Sequence, residues 1–195
     1  MDNTENKVHY DLTNVYVAPL TFDLETGEVT FGVPKRLIGA ISMDLSAQGE
    51  QIKLRADAMD YYVVNGNNGY SGDLNMAMVP DWFREEYLGD TLSQQDKVLV
   101  ENAKAETKPF AMLYEFLGDK SSRRHCLYNV TASRPNIKGE NKENQKEADT
   151  ESMTMTALPL PNGYVKASTT KDTPQSVYDN WVKAVWVKDT TSQGS

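Results

Sequence analysis

Ile41-Ser42-Met43-Asp44-Leu45-Ser46 alternates apolar and polar side chains without a break. That is the period of a strand with one buried and one wetted face. The same period returns at Ile52, Leu54 and Ala56, at Leu74, Met76 and Met78, and at Met153, Met155 and Ala157. Each set predicts an apolar row facing a core, so the chain is mainly β. Sheet surface is abundant and clustered reactive side chains are scarce, which points to a protein that works by assembling.

Working outward, Val15–Leu20 is apolar on both faces and suits a strand covered on both sides. Glu25-Thr26-Gly27-Glu28 turns it into a returning strand with Val29, Phe31 and Val33 on one face, a hairpin that Pro34 ends. A second hairpin is expected from Leu37–Ser46 to Gln51–Ala56, turning at Gln48-Gly49-Glu50. Tyr61-Tyr62-Val63-Val64 then precedes Asn65-Gly66-Asn67-Asn68-Gly69, whose glycines and asparagines tolerate positive φ. Two readings of Asp57–Ser71 stay open: a long loop with its aromatics folded onto the core, or an arm laid on a neighbouring subunit. Pro80 to Leu88 predicts a helix that has Asp81 in its first turn, Gly89 as its stop, and Trp82, Phe83 and Tyr87 packed on the sheet.

Phe110–Leu117 is a second strand apolar on both faces. Gly118-Asp119-Lys120 turns it into Arg123–Val130 as an antiparallel partner, and Ala132 and Ile137 are expected to carry the sheet onward. Lys138–Glu151 mixes lysines and acids without a hydrophobic period and predicts a solvated loop that orders against a partner. Met153–Leu158 resumes the sheet and Tyr164–Ser168 is its last strand. Thr173-Pro174 starts a C-terminal helix, with Thr173 as cap and Pro174 at its first position, that lines up Val177, Trp181 and Val185. The expected organisation is a flexible tail over 1–11, one β domain over 12–187 and a second tail over 188–195.

The chain has 195 residues and a formal net charge of -8, which argues against tight nucleic-acid binding, since that rests largely on neutralising phosphates. An acidic wall could still enclose DNA without gripping it. Cys126 is the only cysteine, so no intrachain disulfide can form and a reducing compartment is expected. No apolar run approaches the ~20 residues of a membrane span, and Met1–Lys7 lacks the apolar segment of a secretory signal. Asn129-Val130-Thr131 matches a glycosylation sequon but has no export signal to give it meaning.

His9 and His125 have no metal-ligand spacing, and no cofactor or metal site is expected. The acidic pairs Glu85-Glu86 and Asp57/Asp60 are explained by solvation. Ser121-Ser122 beside Arg123-Arg124-His125 lacks an orienting third group for nucleophilic chemistry. Arg123-Arg124, with Lys120, forms the best local basic patch and is read as an ion-pair partner between subunits. No catalytic residues are assigned. The candidate inter-subunit contacts are Tyr61, Tyr62, Asn65, Tyr70, Arg123, Arg124, Lys138, Glu140 and Lys142.

Specific phrases then matter. Asn14-Val15-Tyr16-Val17-Ala18, Gly32-Val33-Pro34 leading to Ile38-Gly39-Ala40-Ile41-Ser42-Met43, and Pro80-Asp81-Trp82-Phe83 ending at Leu88-Gly89 stand in order. Pro109-Phe110-Ala111, the basic hairpin around Arg123 to Tyr128, Lys138-Gly139-Glu140 and Ala148-Asp149 follow. Over most of residues 12–158 the chain resembles the major tail proteins of long-tailed, non-contractile bacteriophages of Gram-positive hosts. The resemblance implies an antiparallel β-sandwich or partly closed β-barrel with a flanking helix and long inter-strand loops. It also implies hexameric rings stacked into a virion tail tube, assembled from subunits made in the host cytoplasm. The implied partners are further copies of the chain, a tape-measure protein, a tail terminator and tail-tip proteins, with DNA passing the lumen without specific binding. The net charge of -8 leads to the expectation that excess carboxylates partly line such a lumen, with Asp44, Glu50, Asp73 and Glu115 each alternating with core positions and so not told apart. The alternatives are another ring-forming virion or secretion-tube β protein, such as a head–tail connector, or a monomeric carbohydrate- or peptide-binding β domain.

Overall fold

The computed structural model describes residues 10–23, 25–118, 122–139 and 148–188. The expected turn at Asp119-Lys120, together with Glu140 and Lys142 of the charged loop, lies outside them. Among the described residues a nine-stranded antiparallel sheet carries the fold. Its main path runs β2 (Val29–Phe31), β1 (Leu12–Phe22), β10 (Phe110–Phe116), β11 (Arg124–Ala132), β12 (Glu151–Ala157), β7 (Gly69–Met76) and β4 (Ala40–Gln48). The short β3 (Lys35–Arg36) pairs with β1, and β13 (Lys166–Ser168) pairs with β11. The sheet curls until β4 comes back within 8 Å of β1 between Cα atoms, without ladder hydrogen bonds between them. This is the partly closed arrangement, with no closed barrel.

Strands apolar on both faces sit where two cores need them. In β10, Phe110, Met112 and Tyr114 point into the curl, while Ala111 and Leu113 point out of it. Val15 and Val17 of β1 join the inner core, and Ala18 and Leu20 the outer one. The inner core is closed by α1 (Asp81–Phe83) and the wide π-helical turn Arg84–Leu88, through Phe83, Tyr87 and Leu88. Phe83, Tyr87 and Phe110 form a ring cluster with centroids 4.8–5.5 Å apart. Gly89 ends this helix at φ 83°, a conformation that suits glycine. Each such side chain withdrawn from water contributes about 1.5–3 kcal/mol.

The outer core is covered by the C-terminal segment. Leu160, Trp181 and the half-buried Val177, Val182 and Val185 lie over Ala18, Ala111, Leu113, Cys126 and Tyr128. The helix α2 spans Gln175–Asn180, with Pro174 as its N-cap, one residue later than the Thr173-Pro174 start predicts. It stops before Trp181, so Trp181 and Val185 reach the outer core from the turn beyond it and not from the expected helix. The Thr173 hydroxyl oxygen instead accepts from the Thr170 N–H at 2.8 Å.

Two expectations are corrected. Gln48-Gly49-Glu50 is not a turn, because β4 pairs with β7 and the chain runs on through Gly49. Gln51–Ala56 (β5) pairs instead with Met59–Asn65 (β6), and the reversal falls at Asp57-Ala58. Both residues have positive φ, 51° and 61°, which is the two-residue hairpin turn usually signalled by Asn-Gly. Ile137 is fully solvent-exposed beyond the end of β11 and does not extend the sheet.

Candidate assembly interface

Strands β5 and β6 pair only with each other and continue β4 and β7 as one long hairpin. The ladder is interrupted at Gly49-Glu50 and Gly66-Asn67-Asn68, where one strand holds an extra residue. Hydrogen bonds from Asn68 N–H to the Gln48 carbonyl and from Gly66 N–H to the Glu50 carbonyl bridge this joint at 2.8 and 2.9 Å. A Cβ at Gly49 would stand 2.0 Å from the Gly66 carbonyl oxygen, so the joint closes only with glycine there. Beyond it projects a two-stranded arm.

The arm is apolar and wet. Tyr61 is 72% exposed, Leu54 58%, and Met59, Tyr62, Val63 and Val64 are exposed as well. Leu54 lies opposite Tyr62, so Leu54, Tyr62 and Val64 share one face of the ribbon. The reading of Leu54 as a core-facing residue is therefore corrected, as is the reading of Asp57–Ser71 as a loop folded back on the core. An isolated two-stranded ribbon is marginal in water, and grouped apolar side chains on it mark a surface that is covered in use.

The nine predicted contact residues separate. Tyr61 and Tyr62 are on the arm, and Asn65 stands at its root, where its Oδ1 accepts from Gln51 Nε2 at 3.0 Å. Tyr70 belongs to the body: it is half-buried against the inner core, and Lys166 Nζ stands 5.1 Å from its ring centroid. Arg124 is engaged within its own chain. Its Nε stands 2.8 Å from Glu115 Oε1, its Nη1 donates to the Tyr178 carbonyl at 2.5 Å, and its guanidinium lies 4.0 Å from the Tyr178 ring centroid. Arg123 and Lys138 sit on exposed connections. The arm residues that sequence reasoning missed are Leu54, Met59, Val63 and Val64. Leu54 alternates with polar neighbours and was assigned to a core, while Val63 and Val64 continue the Tyr61-Tyr62 run whose arm reading stayed open.

A second surface is polar. Along the wet face of β4, β7 and β12 the register stacks Ser42, Asn75 and Ser152, then Asp44, Asp73 and Thr154, then Ser46, Ser71 and Thr156. Asp73 Oδ1 accepts from the Thr154 hydroxyl at 3.0 Å, and Asn75 Nδ2 donates to Ser42 Oγ at 3.0 Å. Asp44 and Asp73 sit directly opposite each other, and no lysine or arginine lies in these rows. Glu115 is not on this face, since it is bound by Arg124 and by Asn14 Nδ2 at 3.0 Å. Among the described residues no three His, Cys, Asp or Glu side chains converge to hold a metal ion.

The buried titratable groups belong to the cores. Burial pushes the Cys126 thiol and the Tyr87 and Tyr128 hydroxyls well up. It pushes Tyr114 to about 12, with Tyr70 and Cys126 adding to the effect. A raised folded-state pKa gives stability that is complete below the unfolded pKa and is lost as pH rises toward the folded one. Stability should therefore hold through neutral pH, begin to fall near pH 8.5 where an unfolded cysteine ionises, and fall faster above about pH 10 where unfolded tyrosines do. Thermal melts from pH 7 to 11 should lose at least several degrees across that alkaline window. The Cys126 thiol should stay unreactive toward a disulfide reagent at pH 8 until the protein unfolds. A flat melting profile, or rapid native labelling, would contradict this account.

No protein-family model and no curated protein matches the chain. Two solved structures are similar in shape. One is the tube-terminating cap of the anti-feeding prophage, 10% identical, covering 87% of this chain and 99% of that one, with a TM-score of 0.46. The other is the sheath/tube terminator of an extracellular contractile injection system, PVC, in its extended state. It is 9% identical, covering 80% and 94%, with a TM-score of 0.42. Both are too distant to carry an assignment, so function is read from the chain's own surfaces.

Proposed function

We propose that this chain is a structural subunit of a phage-type tail, which self-assembles into rings that stack as a tube. The observation that carries the reading is the apolar arm, a surface with no cover among the described residues. Edge strand β4 adds to it: among the described strands only β7 makes ladder hydrogen bonds with it, and unpaired edge groups are a liability in a monomer and useful where subunits meet. The Ser/Thr/Asn face with Asp44 and Asp73 suits the lumen of such a tube, because its carboxylates repel phosphates and it offers no cation to hold them, so DNA can slide. Six copies per ring, a tape-measure protein inside, terminator and tip proteins at the ends, and a place in the virion tail complete the reading.

Negative-stain electron microscopy of the purified chain at low and high concentration tests it. Rings or hollow tubes are the expected result. Persistent monomers at high concentration, verified by sedimentation, would overturn it.

A further inference from the structure

The end of the long hairpin opposite the arm carries a second apolar surface. Ile38 and Met78 are each 71% exposed, Ile41 is about half exposed, and Ala77 lies exposed between them in the chain order of this end. They are held together by the Ala77 N–H bond to the Gly39 carbonyl at 2.8 Å and by the pairing of Ala40 with Met76. Ile41 is exposed for a definite reason. Ala40 pairs with Met76 and Ser42 with Asn75, so Ile41 is the extra residue of a β-bulge, a device that re-aims a side chain. The alternation of β4 would otherwise place it elsewhere.

We propose that the arm of one copy docks on the Ile38, Ile41, Ala77 and Met78 surface of a second copy, so that copies stack head to tail. The proposal rests on the assembly reading above and names the acceptor for the arm. The arm cannot reach its own patch, because the hairpin from Ala40 to Ala56 spans roughly 50 Å at strand rise. Each copy therefore offers one arm and one patch at opposite ends. Such a heterologous contact propagates without closing on a two-fold axis.

Size agrees with this occupant. Leu54, Tyr62 and Val64, which share one face of the arm, present on the order of 300 Å² of apolar surface, which suits an acceptor built of four side chains.

The test uses full-length Tyr62→Cys and Met78→Cys variants, each checked for an unchanged melting temperature. They are mixed at assembling concentration and treated with a short bis-maleimide, which the buried Cys126 does not reach. Mass spectrometry should find position 62 joined to position 78 between copies, at least ten-fold above the 62-to-62 product. Predominant 62-to-62 joining would overturn the proposal in favour of arm-to-arm pairing. Sedimenting assemblies with no 62-to-78 product would overturn it too, and both results would leave the assembly reading intact. A chain that stays monomeric in the same sample removes both. As a second measure, Ile41→Asp with Met78→Asp should stop stacking while leaving the melting temperature unchanged, and undiminished stacking would count against the acceptor.

Discussion

Leu54→Asp combined with Tyr62→Asp is expected to abolish self-association while leaving the folded subunit intact. Both side chains sit on one face of the arm and touch nothing in either core, so the body of the subunit loses no packing. The ribbon alone loses the Leu54–Tyr62 cross-strand pair, about 0.2–1 kcal/mol, which the body's melting transition does not include. In an assembly the same positions are desolvated, and each aspartate would bring an unpaired charge into an apolar contact. A loss of about 1.4 kcal/mol per site already raises the assembling concentration by about 100-fold for the pair. Sedimentation velocity over a concentration series reads that directly, beside a thermal melt. Val33→Asp, an equally exposed apolar position outside the arm, serves as the control. Unaltered association in the double variant would remove the arm from the interface.

The second large effect is expected at the opposite side of the molecule. Trp181 is 3% exposed and pins the C-terminal segment to the outer core. Its ring stacks on Trp186 at 6.2 Å and 13°, and Tyr128 Oη donates to the Trp186 carbonyl at 2.9 Å. Trp181→Ala should cost about 3–5 kcal/mol, through lost transfer energy and the cavity left behind. In a chain of this size that lowers Tm by roughly 10 °C. Cleavage by a low dose of protease should then move to the segment around Tyr164–Val187. Lys183→Ala, on the exposed side of the same turn, should change Tm by no more than about 2 °C. A Trp181→Ala protein that melts like wild type would mean the cover contributes little to the outer core.

These two regions differ in how far they were legible beforehand. The C-terminal cover was readable because Val177, Trp181 and Val185 recur every four residues, and a helical stripe of that kind has to meet an apolar surface. The matching surface was also readable, since Val15–Leu20 and Phe110–Leu117 are apolar at consecutive positions and need cover on both sides. The arm was not. Its Leu54 has the same alternating pattern as the core residues Leu74 and Met155, and its turn residues Asp57-Ala58 lack the glycine that marks a two-residue reversal.

Local sequence established most of the longer strands, the burial of β1 and β10 on both faces, the β1–β2 and β10–β11 hairpins, and the bounds of the Asp81–Leu88 helical segment. Those properties follow from periodicity, capping and composition, which act over a few residues. The fold as a whole set the remaining pairings, β4 with β7 and β5 with β6 above all, and so which apolar rows have a neighbour to cover them. Period-two alternation says that a strand has two unlike faces and is silent on what lies against either. Single extra residues at Ile41, beside Tyr128 and in the Gly66–Asn68 joint shift the register. Because a strand repeats every two residues, a one-residue shift exchanges its faces, and that exchange is settled by long-range packing.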